Sequence, residues 1–153
     1  MAVTETKIKG VLILDPQRFE DERGFFAPAF SARDFEERGL PARFIEGNIS
    51  RSLRRGTIRG MHYQAAPHGQ AKLVRCTRGS IYDVAVDIRH GSETYGQWVG
   101  QELTAENHRM LYIPGDCAHG FQTLEDDTVT VRNRDTTEQK RVSVPTITEH
   151  ING

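Results

Sequence analysis

The chain has 153 residues, 37% of them hydrophobic, and its twenty Lys and Arg against twenty-one Asp and Glu leave a formal net charge of -1. That length suits one domain able to bury roughly two-thirds of the surface its unfolded form exposes, without staples. The balanced charge gives no general attraction to nucleic acid, and with neither an apolar leader nor a run of about eighteen apolar residues the chain is expected in the cytoplasm, away from membranes.

In chain order, residues 7–14 form a short apolar run closed by Asp15-Pro16, which predicts a first strand and a turn. A polar turn over 20–24 follows, and Phe25-Phe26 opens another extended piece. Ser31, with Asp34 three residues on, is the N-cap of one short helix that Gly39-Leu40-Pro41 stops. From Phe44 onward the pattern is one of strands between turn signals, clearest over 57–64, 72–77, 80–88, 97–103 and 108–113. Residues 120–124 and 128–134 are expected to form a hairpin across Glu125-Asp126-Asp127, and 141–151 to be an extended tail. This spacing predicts an all-β sandwich or barrel in a single domain over 1–153.

Alternation assigns faces to the strands. Lys72 lies in line with Val74 and Cys76, and Asp83 is flanked by Ile81 and Ala85, so both charges fall on inward faces where they must be paired or functional. His62 shares its face with Ile58, Gly60 and Gln64. Arg59 has the opposite parity and joins His62 only if a bulge or twist intervenes. Cys76 and Cys117 lack CxxC spacing and are expected as small buried hydrophobes.

A metal site would want a His-x-His pair, but the residue two after His62 is Gln64. Metal-free acid-base chemistry fits better. An imidazole at His62 can take a proton near neutral pH, while the Lys72 ammonium can hold a developing oxyanion. Asp83 and His119 share the inward face with them, whereas His68 lies in a loop. The basic run Arg51, Arg54, Arg55 and Arg59 would suit a small phosphorylated ligand or else a solvated face.

Ordered matches at near-constant spacing run from about residue 10 to residue 124: Asp21-Glu22-Arg23-Gly24-Phe25-Phe26, Asn48-Ile49-Ser50, Arg59-Gly60-Met61-His62-Tyr63-Gln64, Lys72-Leu73-Val74-Arg75, Arg78-Gly79, Asp83-Val84-Ala85-Val86-Asp87, Gly96-Gln97-Trp98, and Ile113-Pro114 through Ala118-His119-Gly120-Phe121. In these residues the chain resembles the dTDP-4-dehydrorhamnose 3,5-epimerase family of deoxysugar biosynthesis. The resemblance implies a double-stranded β-helix, the jelly-roll barrel of the cupins, that forms a homodimer partly by strand exchange. It implies a dTDP-sugar substrate and neither metal nor organic cofactor. It makes His62 the base beside the C4 ketone, Lys72 the enolate stabiliser, and Asp83 and His119 their catalytic partners. Arg23, Phe26, Asn48, Arg59 and Gln64 become substrate-binding residues. The chain departs from the family in having Pro28 where a glutamate is frequent, and Arg132 where a tyrosine returns the proton. Residues 135–153 also lack the family's C-terminal pattern, which includes the aspartate that orients the base. Those departures leave open which of C3 and C5 is inverted, or a member that binds the nucleotide sugar without turnover. A metal-dependent cupin enzyme is the third reading.

Overall fold

The computed structural model describes residues 1–134. Short alternating runs broken by Gly, Pro and Asp build twelve strands and one helix there. In chain order they are β1 (Ala2–Glu5), β2 (Leu12–Asp15), β3 (Phe19–Asp21), β4 (Gly24–Phe26), α1 (Ala32–Glu36), β5 (Glu46–Ser52), β6 (Ile58–His62), β7 (Lys72–Arg78), β8 (Ser80–Asp87), β9 (Trp98–Thr104), β10 (Met110–Ile113), β11 (Cys117–Thr123) and β12 (Thr128–Arg134).

A six-stranded sheet in the order β1-β2-β10-β7-β12-β5 faces a four-stranded sheet in the order β6-β11-β8-β9, and β3 and β4 form a separate hairpin. Every pairing is antiparallel. This is the all-β jelly roll expected from strand spacing and resemblance. Val74, Cys76, Leu111 and Ile113 from the larger sheet meet Ile81, Ala85, Leu103 and Cys117 from the smaller in the central core. The other face of β7 and β10, with Leu73, Met110 and Tyr112, packs under α1 through Phe35. Burial pushes the Cys76 thiol up to about 11 and that of Cys117 up to about 12, in keeping with inert core residues.

The helix starts as expected: the Ser31 hydroxyl accepts from the Asp34 N–H at 3.2 Å. Three features differ from the sequence expectations. Residues 7–11 are buried at Ile8 and Val11 but coiled, because the Thr6 hydroxyl donates to the Ile8 and Val11 carbonyls at 3.1 and 2.9 Å and Gly10 adopts φ +88°; the strand begins at Leu12. β1, a short polar strand on the sheet edge, and β5 are additional to the clearest predicted strands. β11 and β12 are not a hairpin: β11 pairs with β6 and β8, and β12 with β5 and β7, so the Glu125–Asp127 turn carries the chain from one sheet to the other. The extended tail expected over 141–151 lies outside the described residues.

The turn after β8 is tied by one carboxylate. Asp87, fully buried, accepts from the Arg89 N–H at 3.0 Å and the Arg89 Nε at 2.9 Å on Oδ1, and from the Ser92 and Thr94 hydroxyls at 2.6 and 2.5 Å on Oδ2. Burial opposes its charge, but these donors outweigh it and hold the carboxyl well below the usual range. Asp87→Asn is expected to lower the unfolding free energy by about 2 kcal/mol near pH 7. A depressed folded-state pKa stabilises above the unfolded value near ~4, and this is lost as pH falls toward the folded value. The gap between wild type and variant in urea melts should therefore shrink below about pH 4; a pH-independent gap would assign the loss to packing instead.

Candidate active site

The site is assembled by a register shift in the smaller sheet. His62 on β6 pairs with His119 on β11, but Arg59 pairs with Phe121, so β6 carries one residue more than its partner over this span. That bulge brings Arg59 and His62 to one cavity, which simple alternation forbade. Gly60 makes the arrangement possible: it sits at φ +117°, and a Cβ there would lie 2.6 Å from the Gly120 Cα.

Between the sheets is a cleft of about 340 Å³. One wall carries Arg59, His62, His119 and Phe121 from β6 and β11. The facing wall carries Asn48 and Ser50 from β5, Val74 from β7, and Thr130 and Arg132 from β12. Four of the sequence-derived site residues thus come together with or behind His62. His119 is buried against Asp83, its Nε2 donating to Oδ1 at 2.6 Å, so the Asp83 carboxylate lies just behind the cleft wall. The second Asp83 oxygen and the His119 Nδ1 have no hydrogen-bond partner among the described residues. Arg59 is held at the rim by donating from Nε to the Ser52 hydroxyl and from a terminal nitrogen to the Arg51 carbonyl, both at 3.0 Å. Asn48 donates to Glu46 at 3.1 Å.

The remaining expected residues stand elsewhere. Lys72 is buried on the inward face of β7, two residues from Val74, yet does not line the cleft. Gln64 is buried beyond the end of β6 and also outside the lining. Arg23 and Phe26 ride on the β3–β4 hairpin, Arg23 paired with Asp21 at 2.5 Å and Phe26 71% exposed, and neither lines this cleft. The Arg23 hydrogen bonds hold the Asp21 carboxyl below its ordinary value. His68 is exposed in its loop and outside the lining as well.

Sequence reasoning singled out neither Ser50 nor Thr130, whose hydroxyls hydrogen-bond at 2.7 Å on the cleft wall. Their signal was present but inverted. On β5 the polar set Glu46, Asn48, Ser50 and Ser52 is the more buried one and Ile49 points out at 75% exposure. Among the described residues, no three His, Cys, Asp or Glu side chains stand together as metal ligands would, and no helix is long and apolar enough to cross a membrane.

This site can accept a proton at His62 and place cations around an anionic ligand. The chemistry has close parallels. A family model described as dTDP-4-dehydrorhamnose 3,5-epimerase matches residues 5–145. The dTDP-4-dehydrorhamnose 3,5-epimerase of Shigella flexneri is 51% identical over 128 residues, covering 83% of this chain and 70% of that protein. The crystal structure of the Bacillus anthracis enzyme of the same name, with TDP and PPi bound, superposes with a TM-score of 0.86 at 40% identity, covering 90% of this chain and 79% of that one. A Legionella pneumophila dTDP-6-deoxy-D-glucose-3,5-epimerase in complex with dTDP-4-keto-L-rhamnose gives 0.84 at 42% identity, over 90% of this chain and 73% of that one.

Proposed function

The chain belongs to the dTDP-4-dehydrorhamnose 3,5-epimerase family, and on that premise we propose that it epimerises a dTDP-4-keto-6-deoxyhexose at C3, C5 or both in deoxysugar biosynthesis. A ketone makes the hydrogens on its neighbouring carbons removable. His62 takes such a proton, the C–H electron pair forms the C=C bond, and the carbonyl π pair moves onto O4 as an enolate. Return of a proton to the opposite face inverts the carbon. The observation that carries this reading is the juxtaposition of His62 with the buried His119–Asp83 pair on one cleft wall, with Arg59 at its rim. The guanidinium of Arg59 suits a diphosphate, and Asn48 faces it from the other sheet. In this reading Lys72, buried on the same face of β7 as the cleft-lining Val74, acts on the enolate through its charge.

In this reading Arg23 and Phe26 serve the cleft of a second copy, since they are exposed on their hairpin and absent from the lining of their own. Exposed Phe25, Leu53 and Ile58 supply apolar surface for such a homodimer. A cytoplasmic location accords with two cysteines kept as buried thiols.

The test is incubation of the full chain with dTDP-4-keto-6-deoxyglucose in deuterium oxide, with NMR of C3 and C5. Label at either carbon above the buffer rate is expected. Tight dTDP binding with no label at either position would replace the epimerase with a nucleotide-sugar-binding protein.

A further inference from the structure

Arg132 enters the cleft from β12 on the wall facing His62 and His119, between Val74 of β7 and Asn48 of β5. Its Nε is buried and has no hydrogen-bond partner among the described residues. The nearby carboxylates are each bonded to another group on one oxygen, Glu46 accepting from Arg134 and Asn48 and Asp83 from His119, and among the described residues neither is bonded to the Arg132 Nε. Burial, and after it the charge of Arg134, draw the Arg132 guanidinium below its ordinary value, against the opposing pull of Glu46 and Asp83. A desolvated guanidinium with an idle donor costs free energy unless a ligand supplies the anion. Arg59, the other arginine on the cleft walls, already spends its Nε on Ser52.

Resting on the function proposed above, we propose that Arg132 binds the sugar oxygen that becomes anionic when His62 removes the adjacent proton. The ligand's sugar then lies between the two walls, base on one side and oxyanion-holding cation on the other. As the C–H bond breaks, its electrons pass through the new C=C bond to the oxygen, and the Arg132 guanidinium donates an N–H to that oxygen without transferring its proton. A guanidinium keeps its proton throughout the pH range of the reaction. Arg132 therefore stabilises enolate formation but cannot protonate the ring from its side, so label enters the substrate faster than configuration inverts.

The Arg132 Nε–H resonance of ¹⁵N-labelled full chain, assigned by its absence in R132K, tests where the group acts. It is expected to shift with dTDP-4-keto-6-deoxyglucose and to stay in place with dTDP alone. In deuterium oxide, R132Q should lower label entry at saturating substrate by about thirtyfold while the Kd for dTDP changes by less than about twofold, and R132K should recover most of the loss. An equal shift with dTDP alone, or weaker dTDP binding with an unchanged saturated rate, would make Arg132 a phosphate ligand and overturn the proposal. Inversion keeping pace with label entry would overturn its stereochemical part. If the wild type takes up no label, the epimerase reading falls, while the resonance arm still decides whether Arg132 meets the sugar or the phosphates. That arm uses wild-type protein, so misfolding of R132Q does not remove it.

Discussion

Replacing His62 with alanine is expected to slow deuterium entry at C3 and C5 by a factor on the order of 10² to 10⁴, with dTDP affinity within about threefold of wild type. The direction follows from placement. His62 is exposed at the end of β6, opposite His119, with its ring toward the cleft and away from the central core. Truncation there removes a proton acceptor and little packing, so binding and melting temperature should hold while chemistry fails. The companion H62N keeps the polarity and shape but not the basicity, and should be equally slow. Exchange in H62A as fast as in wild type would move the base to another residue, with His119 as the first to examine.

Asp83→Ala is expected to act on the fold as strongly as H62A acts on chemistry. The carboxylate is fully buried and bonded at 2.6 Å to an imidazole that is itself only 2% exposed. Removing it leaves the His119 Nε2 buried without an acceptor and opens a void between β8 and β11, for a loss of about 3 kcal/mol. Asp83→Asn retains an oxygen that can accept from Nε2 and should cost about 1 kcal/mol. Urea denaturation of both variants reads the difference directly. A D83A chain as stable as wild type would show that the pair contributes nothing to the fold.

How far the site was legible depended on whether local pattern or long-range pairing decided each residue. The helix cap at Ser31 and the strands β7, β8 and β12 followed from turn residues and alternation, which are local. The inward charges Lys72 and Asp83 were legible for the same reason, as both proved buried. β5 did not stand out because its polar side faces a ligand-sized cleft and its Ile49 faces out, the reverse of what burial alone would dictate. A turn at Glu125–Asp127 was visible, but turn chemistry reverses a chain without stating which sheet receives it. The Arg59 problem needed the partner strand, since a bulge exists only in the count of residues on two strands at once.

That count has a consequence for how the protein can change. Met61 lies in the span where β6 holds its extra residue, between Gly60 and His62. Deleting it would restore an even ladder with β11, and either Arg59 or His62 would then turn to the opposite face of the sheet. Substitutions at Met61 that preserve chain length keep that count, and their cost lies in packing against Tyr63 and Ala118. Deletions and insertions along β6 should therefore be a sharper barrier to drift than substitutions that keep the count.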